Sequence, residues 1–364
     1  MAFKNRKHNY PLYETTHFDN IRTMVENAAQ RHAEKPALTF KRSPSDKTAQ
    51  SLTFAQCREY VRSLATELTA MGMTHKTVAI IGEVSPEWVF AYFAAMSMGA
   101  ITVPIDKELP AADMASILNT AECEFAFCST VIEKKLPEVL AVTPKLTCVI
   151  AMGDAFGEYE SIASLRQKGD KRVESGDNSY LDYEIDNDAL ASIVFTSGTT
   201  GKGKGVMLSQ KNICSDMEQG MYNFQITYKT MCVLPPHHTF GSTVNLVGHF
   251  AQGCEIYLSS GIRYIMKELN EFKPTHLILV PLFIETFYKR IMVSAEKSGK
   301  LPMLKKLIKI SNALRKVGID ARKTLFKSVT KNFGGELEMI ICGGAALNQS
   351  IIDFFEDIGI TVLN

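Results

Sequence analysis

The sequence predicts an α/β fold in which two parallel-type mixed sheets are flanked by helices. The clearest support is a βαβ unit, because Thr77–Ile81 has the β-branched residues of a strand, Ser85 begins a helix and 101–103 forms the next strand. A second observation is that two strand-like segments, 189–195 and 206–208, are separated by residues rich in Gly, Thr and Lys. Parallel strands need long crossover connections, and the helix between 77–81 and 101–103 supplies one, so the βαβ unit favours a parallel sheet.

The elements on either side of the βαβ unit follow the same alternation. Thr53 and Gln56 are spaced as a capping box, and apolar residues then recur at helical spacing until Gly72. After the unit, 125–127 and 147–151 are further predicted strands with helical segments between them. The first part of the chain is therefore expected to build one parallel sheet.

A change of composition at 153–187 to Gly, Asp, Glu, Lys and Ser predicts a long surface connection. We therefore predict a first α/β subdomain over residues 1–170 and a second over 171–364. In the second, Ser209 is a helix cap and a mostly apolar helix follows Gly241. The remaining predicted strands lie at 231–234, 255–258, 275–280 and 338–342.

Composition argues against several classes of protein. The chain has 364 residues, is 46% hydrophobic and 22% charged, and is typical of a globular protein with more than one structural unit. Its formal net charge of +1 gives no support for a nucleic-acid partner. No apolar run reaches the length of a membrane span, and residues 1–10 lack the apolar segment of a secretory signal.

The eight cysteines are scattered through apolar stretches and form no C-x-x-C pair. Cysteines that bind zinc or form disulfide frameworks occur in compact sets with regular spacing. The pattern therefore predicts buried thiols in a reducing cytoplasm and gives no support for a structural metal site.

The main chemical signal is the segment Thr196–Gly205, which reads Thr-Ser-Gly-Thr-Thr-Gly-Lys-Gly-Lys-Gly. Glycines let backbone N–H groups approach an anion closely, hydroxyl groups add donors, and lysine adds a full positive charge. The segment therefore predicts a polyphosphate-binding loop. Its candidate nucleotide-binding residues are Thr196, Ser197, Gly198, Thr199, Thr200, Gly201 and Lys204.

Two alternatives explain this segment less well. Gly198, Gly203 and Lys204 match the G-x-x-x-x-G-K spacing of a Walker P-loop. Gly205, however, stands where that motif needs a hydroxyl group for magnesium, and strand-like residues 206–208 follow where a helix should begin. The other alternative is a flexible surface loop without a ligand, but such linkers seldom carry two lysines between buried strands.

At these residues the chain resembles the adenylate-forming superfamily, which activates carboxylic acids with ATP and includes acyl-CoA synthetases, luciferases and the adenylation domains of peptide synthetases. That family usually has Tyr-Thr-Ser-Gly-Thr-Thr-Gly-x-Pro-Lys-Gly, and this chain has Phe195 and Gly203 in place of the Tyr and Pro. Neither change removes a phosphate donor, although Gly203 gives the unbound loop more conformational freedom. The resemblance extends from Asn20 onward and implies the fold of the family's large N-terminal domain.

The second signal is the loop 234–241, in which prolines, two histidines and Phe240 follow a predicted strand. Neighbouring residues on an extended chain point to opposite faces, so His237 and His238 seldom bind one metal ion. A histidine that caps a turn is the structural alternative. The resemblance implies that His238 lies next to the bound carboxylate and orients the acyl group, and that His237 occupies a variable position.

Two weaker signals depend on the resemblance. Gly343, Gly344 and Ala345 follow a predicted strand, a pattern that alone indicates a tight turn. The resemblance implies that they line the adenine and acyl site, where a side chain larger than methyl would collide with the ligand. A Val-Pro-x-x-x-Glu pattern at 280–285 is most similar to the long-chain acyl-CoA synthetase branch.

The resemblance implies an acid–thiol ligase, most like a long-chain fatty acid–CoA ligase. In this class a carboxylate attacks the α-phosphorus of ATP, pyrophosphate leaves, and CoA then takes the acyl group from the adenylate. Because neither step needs a protein nucleophile, positioning and charge neutralisation make Lys204 and His238 the candidate catalytic residues. The implied substrates are a carboxylic acid, ATP and CoA, with Mg²⁺ bridging phosphate oxygens. No protein ligand for a metal is predicted within the chain.

The sequence stops at Asn364, where the family continues into a Tyr-Gly-x-Thr-Glu segment whose glutamate binds magnesium. A later ribose-binding aspartate and a small C-terminal domain, whose lysine contacts the α-phosphate region, also lie beyond this point in the family. The chain is therefore expected to be a truncated large domain, incomplete at its C-terminal end. We expect it to retain affinity for nucleotide or acyl group and to have very low ligase activity, which substantial pyrophosphate release from palmitate and ATP would contradict.

Two other functions stay open as alternatives. The first is an enzyme that activates amino or aryl acids. An amino-acid enzyme needs a carboxylate near the substrate's ammonium group, and residues 236–241 supply none. The second is a protein that binds a nucleotide or an acyl group without catalysis. In such a protein Lys204 and His238 could be replaced without loss of function, so their presence argues against this alternative.

The segment 300–331 is rich in Lys and Arg with apolar residues such as Leu304 and Leu314 between them. This pattern predicts an amphipathic helical pair that packs on the domain and has a solvated basic face. Peripheral contact with a membrane or with an acidic partner is the alternative. The sequence predicts no particular oligomeric state.

Overall fold

A computed structural model describes residues 13–153, 155–196, 203–224, 226 and 228–364. The chain divides into two compact units. Unit 1 comprises Met1–Phe40, Ala49–Ile226 and Pro235–Glu255, and unit 2 comprises Lys41–Thr48, Thr227–Leu234 and Ile256–Asn364. The division at residue 170 that the composition suggests stays a prediction.

The strands of unit 1 form a large mixed sheet and a separate antiparallel pair. Their bounds are β1 (Pro36–Phe40), β2 (Gln50–Thr53), β3 (Thr77–Ile81), β4 (Ile101–Ile105), β5 (Phe125–Ser129), β6 (Cys148–Met152), β7 (Glu160–Ser161), β8 (Leu190–Thr196) and β9 (Lys204–Ser209). Among the described residues, seven strands form the large sheet in the order β7-β6-β5-β3-β4-β8-β9. All neighbours in it are parallel except β8 and β9, and β1 pairs with β2 antiparallel. The predicted α/β class with a parallel-type mixed sheet is confirmed.

The helices of unit 1 connect these strands. They are α1 (Ile21–His32), α2 (Phe54–Ala70), α3 (Pro86–Ser97), α4 (Ala111–Thr120), α5 (Leu136–Leu140), α6 (Ile162–Glu174), α7 (Ser179–Asp182), α8 (Gln210–Met221) and α9 (His249–Ala251), with a π-helix at Phe240–Gly248. The predicted caps of three helices are confirmed. The side chains of Thr53, Ser85 and Ser209 each accept a hydrogen bond from a backbone N–H of the first turn that follows.

The predicted βαβ unit is present as β3, α3 and β4, and its two strands are parallel neighbours. Pro86 occupies the first turn of α3, where its missing N–H costs no hydrogen bond. All twelve residues of α3 are buried, including Trp88 and Phe93. The unit therefore supplies much of the core of unit 1 and holds the ends of β3 and β4 in place.

The expected long surface connection at 153–187 is wrong in part. The segment contains β7 and α6, and Ser161 caps α6 by accepting a hydrogen bond from the backbone N–H of Ser164. Only Ile162, Leu165 and Gly169 of α6 are buried. The rest of the helix surface is polar, so its amino-acid composition is close to that of a loop. This is why the composition predicted a surface connection here.

Unit 2 contains a second parallel sheet with helices packed on it. Its strands are β10 (Lys229–Cys232), β11 (Glu255–Leu258, which begins at the last residue of unit 1), β12 (His276–Leu279), β13 (Met339–Cys342) and β14 (Thr361–Leu363). Its helices are α10 (Ile265–Phe272), α11 (Pro281–Lys297), α12 (Leu301–Lys316), α13 (Arg322–Leu325), α14 (Lys327–Thr330) and α15 (Gln349–Ile358). Among these strands, β12, β13 and β14 form the parallel sheet, and the apolar core of unit 2 includes Leu269, Phe333 and Phe355.

The predicted basic helical pair at 300–331 is one long helix, α12, followed by the single turns α13 and α14. Gly318 adopts φ 87° just after α12, and Asp320 then accepts a hydrogen bond from the backbone N–H of Arg322. Short turns in place of a second helix let the chain bury Phe326 completely. The basic face of α12 is exposed, as expected.

The eight cysteines are thiols, and all of them except Cys148 are buried. Burial raises the pKa of Cys128 to about 12, so this thiol is protonated at neutral pH. Within the part of the chain that the structure describes, no helix is both long and apolar enough to cross a bilayer.

Candidate active site

The predicted phosphate-binding loop is closed by the β8–β9 hairpin. Thr196, the last residue of β8, pairs with Lys204, the first residue of β9, and the Thr196 hydroxyl donates to the Lys204 carbonyl at 3.5 Å. Both residues are exposed. The structure therefore brings the two described ends of the loop together. The candidate residues between them, Ser197, Gly198, Thr199, Thr200 and Gly201, lie outside the described residues.

The residue after Lys204 separates this hairpin from a Walker P-loop. Gly205 pairs with Phe195 inside the sheet, and a Cβ added to Gly205 would lie 2.8 Å from Cγ2 of Ile193. A Ser or Thr at that position would collide with its cross-strand neighbour. The chain then continues as β9 rather than as a helix, which confirms the rejection of the P-loop alternative.

The hairpin lies at the edge of the large sheet where its parallel strands end. Thr102 of β4 pairs in parallel with Ser192 of β8, so the two strands end at the same edge, where Asp106 follows β4 and Thr196 is the last residue of β8. At the end of β5, the Ser129 hydroxyl donates to the carboxylate of Glu83, the second residue after β3, at 2.7 Å. This edge, which we call the carboxyl edge, collects polar side chains from several strands. Ligands of open α/β sheets bind at this edge.

A tight turn presents the two histidines. The His238 N–H donates to the Pro235 carbonyl at 3.2 Å, and the His238 carbonyl accepts from the N–H groups of Gly241 and Ser242 at 2.9 Å each. A Cβ added to Gly241 would lie 2.1 Å from the Pro235 carbonyl oxygen, so only glycine fits. His238 is exposed at this turn, and the backbone that carries it is fixed.

His237 lies beside the carboxyl edge. Its Nε2 is 3.7 Å from the Asp106 carboxylate, and its ring centroid is 4.2 Å from that of His238. Burial lowers the pKa of His237 from its usual 6.5 to about 4, against the opposing effect of Asp106, while His238 and Lys107 add to the lowering. The ring is therefore neutral at neutral pH. Because Asp106 follows β4 and Thr196 ends the neighbouring parallel strand β8, the histidine turn lies on the same edge as the hairpin that closes the predicted phosphate-binding loop.

The histidine turn continues into the π-helix, which replaces the ordinary helix expected after Gly241. Asn245 in this helix is completely buried, and neither polar atom of its side chain has a hydrogen-bond partner among the described residues. His249 follows directly, and its Nδ1 lies 2.8 Å from the Val244 carbonyl oxygen. π-Helical segments are rare and are frequently found at functional sites.

In unit 2, the glycine-rich turn predicted at 343–345 follows β13. The Gly343 N–H donates to the Leu279 carbonyl at 3.2 Å, and Gly344 adopts φ 86°. A Cβ added to Gly344 would lie 3.7 Å from Val280, which is an ordinary contact. Gly344 and Ala345 are exposed. Val280 is the first residue of the Val-Pro-x-x-x-Glu segment and directly precedes α11. The glycine-rich turn therefore lies against the start of that segment.

Asp106 is the residue of this edge that the sequence analysis missed. It carries no motif, and its only signal is its position directly after the strand Ile101–Ile105. Among the described residues, no group of three His, Cys, Asp or Glu side chains could hold a metal ion.

Comparison with known proteins gives one family. Residues 25–364 match the family described as AMP-binding enzyme. Among curated proteins, long-chain-fatty-acid–CoA ligase 6 of Rattus norvegicus is 24% identical over 369 residues, which cover 93% of this chain and 52% of the ligase. The chain thus spans about half the length of the curated relatives it matches.

Solved structures share the fold. The N-terminal domain of FACL13 from Mycobacterium tuberculosis has a TM-score of 0.68 at 18% identity, covering 94% of this chain and 74% of that one. The anthranilate CoA ligase AuaEII, solved with anthranoyl-AMP, has a TM-score of 0.71 at 17% identity, covering 94% of this chain and 58% of that one. The expected fold of the large N-terminal domain is confirmed.

Proposed function

Because the chain belongs to the AMP-binding enzyme family, we propose that the complete gene product activates a carboxylic acid with ATP. A carboxylate oxygen bonds to the α-phosphorus, and pyrophosphate leaves. The sulfur of CoA then bonds to the acyl carbon of the adenylate, and AMP leaves with the electron pair of the broken C–O bond. The observation that carries this proposal is the hairpin, which holds Thr196 and Lys204 at the two ends of the polyphosphate-type loop.

Lys204 has the clearest proposed role. Its side chain is exposed beside the mouth of the loop, where a positive charge can neutralise the terminal phosphates of ATP. Fixed charges and donors act without reorganisation, which is how enzymes of this kind lower a barrier without a nucleophile. The other proposed phosphate-binding residues are Thr196, Ser197, Gly198, Thr199, Thr200 and Gly201.

His238 is proposed to position the acid. The hydrogen bonds from Gly241 and Ser242 to its carbonyl and the one from its N–H fix the backbone, so the ring is presented from a rigid turn. Correct orientation of a reacting carboxylate reduces the entropic part of the barrier. Gly343, Gly344 and Ala345 are proposed to contact the adenine and acyl groups from unit 2, where Gly344 and Ala345 are exposed and small.

Mg²⁺ accompanies ATP in this proposal as part of the substrate. The described residues contain no cluster of three side chains that could hold a metal ion. We therefore assign the ion to the phosphate oxygens of ATP and derive no step from it.

A fatty acid is the proposed substrate, because long-chain-fatty-acid–CoA ligases are among the curated relatives and residues 236–241 contain no acid. The structure also favours a second candidate. Asp106 brings a carboxylate to within 3.7 Å of His237, and such a group could pair with the ammonium of an amino acid. Amino-acid activation is therefore the alternative to test.

The test is ATP–pyrophosphate exchange by the complete gene product with a panel of palmitate, benzoate, anthranilate and aspartate. Exchange that depends on palmitate, with the other acids near background, is the expected result. Exchange that depends on aspartate would replace the fatty acid by an amino acid and assign Asp106 to the substrate. If no acid supports exchange while ATP still binds, the noncatalytic binder is the correct function.

We also propose that the protein functions in a reducing compartment, the cytoplasm. Its eight thiols form no disulfide, and burial raises the pKa of Cys232 and Cys254, each to about 12. Mass spectrometry of the protein alkylated directly in cell extracts, which should find no disulfide, tests this proposal.

A further inference from the structure

The outer side of α12 has an unusual surface. Only Leu304 and Ser311 of its sixteen residues are buried, and the helix packs on α11 and α15. The helix contains five Lys or Arg residues and no Asp or Glu. A solvated helix in a protein of almost zero net charge would ordinarily mix both signs.

Three apolar side chains form a stripe along this exposed side. Met303, Ile310 and Val317 are 63%, 42% and 72% exposed. They are spaced by seven residues, which is close to two helical turns, so they lie in one row. The buried residue Leu304 lies on a different side of the helix, because one position corresponds to a turn of about 100°. The stripe is therefore not part of the core.

Lysines flank this stripe. Lys306, Lys309 and Lys316 are exposed, and the last two directly precede Ile310 and Val317 in the sequence. None of these three lysines has a carboxylate partner among the described residues. Arg315, in contrast, lies 4.0 Å from Asp357 of α15. The cations beside the stripe are thus left for an external partner, whereas the inward cation is paired.

We propose that this face of α12, made of Met303, Ile310, Val317 and the flanking lysines, binds a membrane surface that contains anionic lipids. The ammonium groups contact the phosphate groups of the lipids, and the apolar side chains enter the boundary between headgroups and acyl chains. An acidic protein segment would satisfy the lysines but would gain little from three exposed apolar side chains in a row. The proposal does not depend on the proposed ligase activity.

Binding of the complete gene product to phosphatidylcholine vesicles, with and without phosphatidylglycerol, measures this interaction by co-sedimentation. Wild type should bind only the vesicles with phosphatidylglycerol, and high salt should weaken the binding. The triple variant Lys306→Gln, Lys309→Gln, Lys316→Gln should bind about a hundredfold more weakly, because each lysine near an anionic surface contributes about fivefold.

A matched control removes the same charge elsewhere. Lys47→Gln, Lys134→Gln, Lys171→Gln changes three other exposed lysines and should leave binding within about twofold of wild type. Equal losses in the two triple variants would overturn the proposal, because net charge rather than this face would then determine binding. Thermal unfolding should be unchanged in both, since every substituted side chain is exposed.

A variant of the three apolar side chains distinguishes a lipid partner from an acidic protein partner. Met303→Ser, Ile310→Ser, Val317→Ser keeps all charges and should lower vesicle binding by about tenfold, because less apolar surface enters the lipid. If this variant binds vesicles as wild type does, or if polyglutamate competes fully with the vesicles, the face recognises negative charge alone and the lipid assignment is wrong.

Discussion

The two edges of the large sheet in unit 1 each carry a histidine next to a polar partner, yet they differ in packing. At the carboxyl edge His237 approaches Asp106, and the loop ends Thr196 and Lys204 are exposed. At the opposite, amino edge, Nε2 of His75 lies 3.3 Å from the Tyr183 hydroxyl. The residue types alone would suggest a site at either edge.

The difference lies in what surrounds each histidine. At the amino edge the Tyr183 ring covers Gly99, and the remaining pocket has a volume of about 160 Å³. That space is too small for a nucleotide, because ligand pockets measure about 300 Å³ or more. At the carboxyl edge the described loop ends Thr196 and Lys204 are exposed, and so is His238. We infer that the amino edge stabilises the unit and the carboxyl edge performs the chemistry.

The largest expected effect is at the carboxyl edge. Lys204→Ala in the complete gene product should lower ATP–pyrophosphate exchange by about a hundredfold, because a charge on the terminal phosphates is lost. The free energy of unfolding should not change, since the side chain is exposed. Exchange rates at saturating acid, with urea unfolding in parallel, measure both quantities.

Lys211 provides the matched control at the amino edge. It is equally exposed and forms an ion pair with Asp188 at 3.1 Å. Lys211→Ala should leave exchange within about twofold of wild type, because an exposed ion pair contributes little. If both lysine variants lose activity equally, the distinction between the edges is wrong.

The second effect concerns stability at the amino edge. Gly99 has φ 80°, and an added Cβ would lie 2.6 Å from the Tyr183 ring. Gly99→Ala should lower the free energy of unfolding by about 2 kcal/mol through backbone strain and displacement of Tyr183. Gly72, with φ 75° and nothing within 4 Å, isolates the backbone contribution, and Gly72→Ala should cost about 1 kcal/mol.

Urea unfolding of the two glycine variants measures the difference. ATP–pyrophosphate exchange by folded Gly99→Ala protein should equal that of wild type. Equal destabilisation in the two variants would show that the Tyr183 contact contributes nothing, and the amino edge would then not be the tightly packed one.

The third effect compares the exposed histidine of the carboxyl edge with that of the amino edge. His238→Ala should lower exchange by about tenfold, mainly through loss of positioning of the acid. His75→Ala removes a hydrogen bond to Tyr183 but should leave exchange unchanged. Steady-state kinetics with varied acid concentration tests this, and a larger loss in His75→Ala would reverse the assignment of the edges.

The smallest effect is a pH dependence caused by His237. Its pKa is about 4 in the folded protein and 6.5 when unfolded, so the unfolded state binds the proton more tightly. The contribution of His237 to the free energy of unfolding is therefore fully present above about pH 6.5 and is lost as the pH falls toward 4. His237→Asn should reduce the loss of unfolding free energy between pH 7 and pH 6 by about 0.7 kcal/mol.

His249, whose pKa burial also lowers to about 4, is present in both proteins and cancels in this comparison. Chemical unfolding at the two pH values provides the measurement. Parallel pH profiles for wild type and His237→Asn would mean that His237 is hydrated, and the carboxyl edge would be more open around it than the structure shows.

Local elements were largely predictable because their signals depend on neighbours along the chain. The capping residues Thr53, Ser85 and Ser209 begin helices where predicted, and the strand Thr77–Ile81 has its predicted bounds. The helix α6 was missed because its one buried face is narrow and the rest is polar. The parallel order of β3 and β4 followed from the helix between them.

The candidate site was predictable in its motifs but not in its surroundings. The loop at 196–204 and His238 have sequence signals, whereas Asp106 and the neutral state of His237 depend on residues more than a hundred positions apart. Residues 236–241 contain no acid, but the parallel strand β4 brings Asp106 beside this loop.

The sequence by itself therefore determined most of the strands and helices, the family and the position of the Gly-, Thr- and Lys-rich loop, because hydrogen bonding and side-chain periodicity act over a few neighbouring residues. Only the tertiary structure decided which histidine is buried beside a carboxylate, which sheet edge is packed, and which side of α12 is exposed. These properties arise from burial and from contacts between distant segments, which no local pattern contains.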